Sequence, residues 1–137
     1  MCKLIKNLLL VILKEVGNIL KIYLDNCCYK RPFDDQTQLK IYLDSQAKIY
    51  IQEQIVDKKY DLVCSYILDY ENEQNPFEIR KSTIAGWRKI ACEIVNENLE
   101  IIELAESILK KGIKPKDALH ISCAKVSSCE YFVTTDK

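Results

Sequence analysis

Short apolar runs alternate along this chain with longer stretches of helical periodicity. The run K-I-Y-L-D-N, residues 21–26, reads as a buried strand ended by Asp25 and Asn26. Residues 38–57 space Leu39, Leu43, Ala47, Tyr50, Ile51 and Ile55 at helical intervals. Y-D-L-V-C-S, residues 60–65, reads as a second strand, and Ser65 can cap a short helix carrying Ile67, Leu68, Tyr70 and Glu71. Pro76 opens a helix predicted to reach about residue 95, with Ile79, Ile84, Trp87, Ile90, Ala91 and Ile94 on its buried face. Residues 98–102 are predicted as a third strand and 103–111 as a helix stopped by Gly112. Pro115 opens a further helix with Asp117, Ala118, Ile121 and Ala124, and residues 131–134 form a fourth strand. Strands alternating with helices predict an α/β layer fold with a mostly parallel sheet.

The first 19 residues fit this rhythm less well. Their longest apolar run, residues 8–13, is too short to span a bilayer, and no small-residue cleavage site follows. Leu9, Ile12, Leu13 and Val16 can share one helical face, ended by Gly17 and Asn18. Residues 1–19 are therefore read as an extension of uncertain status, and residues 20–137 as the domain.

A chain of 137 residues, 48% hydrophobic and 29% charged, is an ordinary single globular domain. Its 20 basic and 20 acidic residues cancel, so no broad attraction to nucleic acid follows. The seven cysteines are odd in number and contain no C-x-x-C pair, which argues against a disulfide framework or zinc knuckle and for a reducing, cytoplasmic setting. Cys64, Cys92 and Cys123 read as small core residues.

Candidate chemistry lies at the strand ends. Asp25 and Asp136 follow strands, Glu71 lies in the helix after the second strand, and Asp117 lies in the first turn of the helix opened by Pro115. In a parallel sheet all four can meet at the carboxyl edge, where ligands bind. Packed carboxylates are costly without a cation, and oxygen ligands suit magnesium or manganese. Spacing alone also fits four separate helix caps and surface groups.

The pieces nevertheless fall in a familiar order. I-Y-L-D ending at Asp25, S-Y-I-L-D-Y-E ending at Glu71, D-A-L-H-I-S-C-A beginning at Asp117 and T-T-D ending at Asp136 resemble the PIN-domain family of metal-dependent nucleases, which includes bacterial toxin ribonucleases. K-R-P-F-D-D at 30–35 and N-P-F at 75–77 are similar to segments of one bacterial subgroup. The resemblance runs from about Leu20 to Lys137. It implies a three-layer PIN-like fold and an endoribonuclease in which Asp25, Glu71, Asp117 and Asp136 hold Mg²⁺ or Mn²⁺. Phosphodiester hydrolysis would then leave 5′-phosphate and 3′-hydroxyl ends. It also implies an RNA substrate, a protein antitoxin as partner, a homodimer, and no membrane association.

Supporting roles are expected for Thr134, Asn26 and Arg31, with Lys30 and Arg31 as candidates for substrate phosphates because they flank Asp25 in a loop. His120 is read as a packing or hydrogen-bonding residue, and Trp87 as core. The family pattern continues after its fourth acid with a short helix and a strand, whereas this sequence ends at Lys137. A second reading follows from that departure: a catalytically impaired PIN-like protein that retains only partner binding.

Overall fold

The computed structural model describes residues 3–5 and 19–135. Among these, strands β1 (Lys3–Ile5), β2 (Leu20–Leu24), β3 (Tyr60–Ser65), β4 (Glu93–Val95) and β5 (Tyr131–Val133) form one sheet in the order β1-β5-β2-β3-β4. Every pairing is parallel. Helices α1 (Asn26–Lys30), α2 (Leu39–Val56), α3 (Tyr66–Glu73), α4 (Glu78–Gly86), α5 (Leu99–Leu109) and α6 (Pro115–Val126) make the connections. Successive residues of a strand face opposite sides of a sheet. Ile22, Tyr23 and Leu24 are all fully buried, so both faces of β2 are covered and the fold has three layers.

The chain steps from β2 to β3 and on to β4, then returns through α5 and α6 to place β5 on the other side of β2. The order of strands reverses there. A reversal of this kind opens a crevice at the carboxyl ends of the two strands, here β2 and β5. Leu24 is registered against Val133, so Asp25 and Thr134 emerge side by side at that edge.

Most predicted elements are present, with one displaced strand. Residues 98–102 are not extended. Asn98 is an N-cap whose Oδ1 accepts the Ile101 N–H at 2.9 Å, and α5 begins at Leu99. The third strand is instead β4, inside the stretch predicted as one long helix. That stretch divides into α4, a 3₁₀ turn at Trp87–Ile90, and β4. Gly86 at the end of α4 is a poor helix former, and the Cys92 N–H is drawn to the Leu62 carbonyl at 2.8 Å, which starts the pairing with β3. Ile84 is buried as predicted, but Ile79 and Ile90 face solvent. Cys64 and Cys123 are core residues, whereas Cys92 is exposed. β1 adds to the sheet beside β5; the helical face expected of Leu9, Ile12, Leu13 and Val16 lies outside the described residues. No helix among the described residues is long and apolar enough to cross a membrane.

One buried charge belongs to the core. Lys48 of α2 is 3% exposed and its ammonium lies 5.4 Å from the Tyr29 ring and 5.6 Å from the Trp87 ring. Ring faces attract a cation but do not replace its hydration. Burial accordingly pulls the Lys48 pKa down to about 8. Because the folded value lies below the unfolded one, folding is penalised while the lysine is charged, and the penalty fades as the pH rises through about 8. Lys48→Met, which keeps the stem and removes the charge, should raise the denaturation midpoint at pH 7. The advantage should shrink in parallel titrations above pH 8. A loss of stability at pH 7 would show that the ring contacts outweigh the burial cost.

Candidate functional site

Asp25 is the first residue beyond β2. Its N–H continues the sheet by donating to the Val133 carbonyl at 2.9 Å, and its side chain caps α1. Oδ1 accepts the Asn26 N–H at 2.7 Å and Oδ2 accepts the Thr134 hydroxyl at 3.1 Å. Those bonds fix the carboxylate in a site where only 6% of the residue is exposed. Burial raises the Asp25 pKa. The charge of His120, the Asn26 N–H and the Thr134 hydroxyl act against it, and the charge of Asp117 adds to it.

Glu71 reaches the same place from the last turn of α3, whose start is fixed by Ser65 accepting the Leu68 N–H at 3.3 Å. One Glu71 oxygen accepts from Asn26 Nδ2 at 3.0 Å and the other is bonded to His120 Nε2. Burial alone would raise the Glu71 pKa. The His120 bond and charge, with Asn26 and Lys116, together outweigh that effect and leave it below the usual value.

His120 is a buried hydrogen-bonding residue, as expected from the sequence, and it links the two carboxylates. It lies on α6, 1% exposed, with Nε2 bonded to Glu71 and 3.7 Å from Asp25 Oδ1. Behind it, Nδ1 is 2.6 Å from the Tyr23 hydroxyl, which is itself 2.6 Å from Ser65 Oγ. An ionised Glu71 only accepts, so Nε2 carries a proton. From Nδ1 the chain runs through the Tyr23 and Ser65 hydroxyls, and Ser65 accepts the helix N–H of Leu68. Each donor meets an acceptor, as a buried polar chain requires. Tyr23 also stacks on Phe132 at 5.5 Å, which pins its hydroxyl between β2 and α6.

The other predicted residues divide. Asp117 is half-buried in the first turn of α6, acting on Asp25 through space. Thr134 and Asn26 orient the two carboxylates. Asp136 lies outside the described residues; Thr134 and Thr135, which precede it, are both buried against the site. Cys27 Sγ lies 3.2 Å from Thr134 Oγ1, and its contact with Cys28 lowers its pKa to about 7 against the effect of burial. Arg31 is engaged by acids of its own chain. Its guanidinium pairs with Asp34 at 3.3 Å and lies 3.5 Å from Asp44, tying the loop to α2.

The donor set is one of hard oxygens, which suits Mg²⁺ or Mn²⁺. A specific observation supports the fit: Asn26 Oδ1 is buried beside the two carboxylates and has no hydrogen-bond partner. Glu71, however, is engaged by His120, and among the described residues no group of three or more His, Cys, Asp or Glu is disposed to hold an ion unaided. A cleft of about 210 Å³ opens beside Glu71, bordered by Lys30, Phe77, Arg80 and Lys116. A larger one of about 350 Å³, between Ile49, Val56 and Trp87, is lined by none of these acids.

The two carboxyl groups titrate in opposite senses. A lowered Glu71 pKa contributes stability above the usual range that is lost on acidification. A raised Asp25 pKa does the reverse: its contribution is full below the unfolded value, about 3.9, and is lost as the pH rises through the folded value. Asp25→Asn keeps the acceptor for the Asn26 N–H, presents its amide as a donor to the Thr134 hydroxyl, and removes the charge. The variant should therefore melt at or above the parent temperature at pH 7, with the difference closing toward about pH 4. A variant that melts lower at pH 7 would show that the Asp25 charge is held favourably by His120.

No family model matches the sequence, and no curated protein matches it. Among solved structures, the chain is similar to a chain in the crystal structure of VapBC2 from Rickettsia felis bound to a DNA fragment from their promoter. The TM-score is 0.51 and the identity 16%, over 85% of this chain and 89% of that one. At that identity the likeness shows the fold, and it agrees with the three-layer α/β, PIN-like architecture read from the sequence.

Proposed function

We propose that this protein is a Mg²⁺- or Mn²⁺-dependent endoribonuclease that acts in the cytoplasm as the toxin of a toxin–antitoxin pair. The observation that carries the reading is the pairing of Asp25 and Glu71, which come from separate elements and are linked through Asn26 and His120 at the carboxyl edge of a parallel sheet, beside the unpartnered oxygen of Asn26. Asp117 acts on Asp25 through its charge. With Asp136 these residues would hold the ion, which when bound polarises a phosphate and activates water. Asn26 and Thr134 keep the carboxylates aimed, and His120 sets the Glu71 rotamer from behind. A protein partner and a second copy of the chain fit the exposed stripe of Leu39, Tyr42 and Leu43 on α2.

A second reading, an impaired PIN-like protein that only binds its partner, is favoured by one feature. His120 already takes the Glu71 oxygen that an ion would need.

Purified protein should cut RNA when Mn²⁺ is added and stop in EDTA, leaving 5′-phosphate ends. Asp25→Asn should reduce the cut to background and abolish the rise in melting temperature produced by Mn²⁺ in the parent. Cleavage that persists in EDTA, or full activity of the variant, rules the assignment out. A parent that neither cuts nor gains stability from Mn²⁺, yet captures its protein partner, supports the impaired form instead.

A further inference from the structure

The cleft beside Glu71 carries a second set of groups that the carboxylate chemistry does not use. Arg80 of α4 has its guanidinium 4.3 Å from the Phe77 ring and 5.4 Å from the Phe33 ring. Lys116 lies over the Tyr70 ring at 5.9 Å, and Lys30 closes the other side of the cleft. Among the described residues, none of the three cations has a carboxylate within ion-pair distance, although the chain has as many acids as bases. Asp34 also lines the cleft, but Arg31 pairs with it. Phe77 is 54% exposed and Tyr70 is also 54% exposed, large aromatic surfaces left in water on either side of the cations.

We infer that this cleft is the strand-binding subsite of the protein: it takes one nucleotide of a single-stranded nucleic acid, its phosphate on Arg80, Lys30 and Lys116 and its base on Phe77. A guanidinium held by ring faces in place of carboxylates keeps its charge for an external anion, and its N–H fork matches a phosphate's paired oxygens. Exposed aromatic faces accept a base from an unpaired strand, whereas bases in a duplex are already stacked. Size agrees. About 210 Å³ lies below the roughly 300–1,000 Å³ of pockets that enclose a whole small ligand, and suits one unit of a longer chain. Because Glu71 lines the same cleft, the next phosphate along the strand would arrive at the carboxylates. The inference rests on the nuclease reading for that last step alone.

Binding of a short labelled oligonucleotide to the full chain in EDTA tests it without requiring cleavage. Single-stranded RNA and DNA of one sequence are run beside duplex RNA at several salt concentrations. The tighter of the two single strands identifies the substrate. Arg80→Ala should weaken binding and reduce the slope of log affinity against log salt by about 0.7, the value for one phosphate contact on a single strand. Arg80→Lys should restore the slope but not the affinity. Phe77→Ala should weaken binding roughly 5- to 150-fold while leaving the slope in place. Both positions border solvent, so folding is not at risk. Lys59→Ala, which removes one charge far from the cleft, is the control. Arg80→Ala behaving as Lys59→Ala, or duplex binding equal to single-strand binding, overturns the subsite. Mn²⁺-dependent cleavage is assayed on the same preparations. Cleavage that does not depend on Arg80 sinks the subsite and spares the nuclease reading; Arg80-dependent binding without cleavage does the opposite.

Discussion

The His120 ring stands between two carboxylates, and the arrangement around it constrains the rest of the site. A buried imidazole with acids at one edge needs a partner at the other, or it carries an unsatisfied nitrogen at a cost of about 1–3 kcal/mol. Tyr23 supplies that partner, and Ser65 supplies the partner of Tyr23. Each of the three comes from a different element: α6, β2 and the cap of α3. The chain of bonds therefore locks a helix from the second half of the domain against two strands from the first. A shift of α6 along the sheet would break the contact to Tyr23 and to Glu71 together. The carboxylate edge thus inherits its geometry from a polar network buried under it, in the way that supporting hydrogen bonds set the aim of ligating groups in metal sites.

The architecture was legible where pattern and packing agree. Residues 60–65 read as a strand and are one, because Leu62, Val63 and Cys64 are buried on both faces and an uninterrupted apolar run has no other simple use. Residues 38–57 were read as helix and α2 spans nearly the same residues. The reading failed at residues 98–102, where Leu99, Ile101 and Ile102 look like strand residues by composition. A single Asn98 hydrogen bond decides for helix there, and a cap is a local signal that an apolar run conceals. It failed again at residues 91–95, since a three-residue strand at the sheet edge has too few side chains to show a period.

The site was legible only in part, and for a different reason. Sequence order names acids that follow strands, and Asp25 and Glu71 do share one site, both reached by Asn26 and His120. It does not say what lies between them. His120 is three residues after Asp117, so both share a face of α6, and that spacing was the available signal. What could not be seen is that Tyr23, two residues before Asp25 and so on the same side of the strand, reaches across to the imidazole. Arg31, expected from its loop position to face substrate, pairs with Asp34 and approaches Asp44. Arg80, placed on a helix and not singled out, is one of the cations without an ion-pair partner among the described residues.

These two arginines indicate how the surface near the site is organised. Charge alone would not separate them, since the chain is neutral overall and both lie close to acids in sequence. Their neighbours do. Arg31 is answered by carboxylates, which offset its charge. Arg80 is answered by aromatic rings, which hold it in place while its charge remains available. Beneath the edge of the sheet the chain His120–Tyr23–Ser65 is hydrogen-bonded throughout, and the carboxylates are held by Asn26, Thr134 and His120. In the cleft beside it, cations are held still but left without counter-charges. Cations without counter-charges beside hydrogen-bonded carboxylates polarise the cleft toward an external anion, and Glu71, which lines the cleft, lies where that anion would meet the carboxylates.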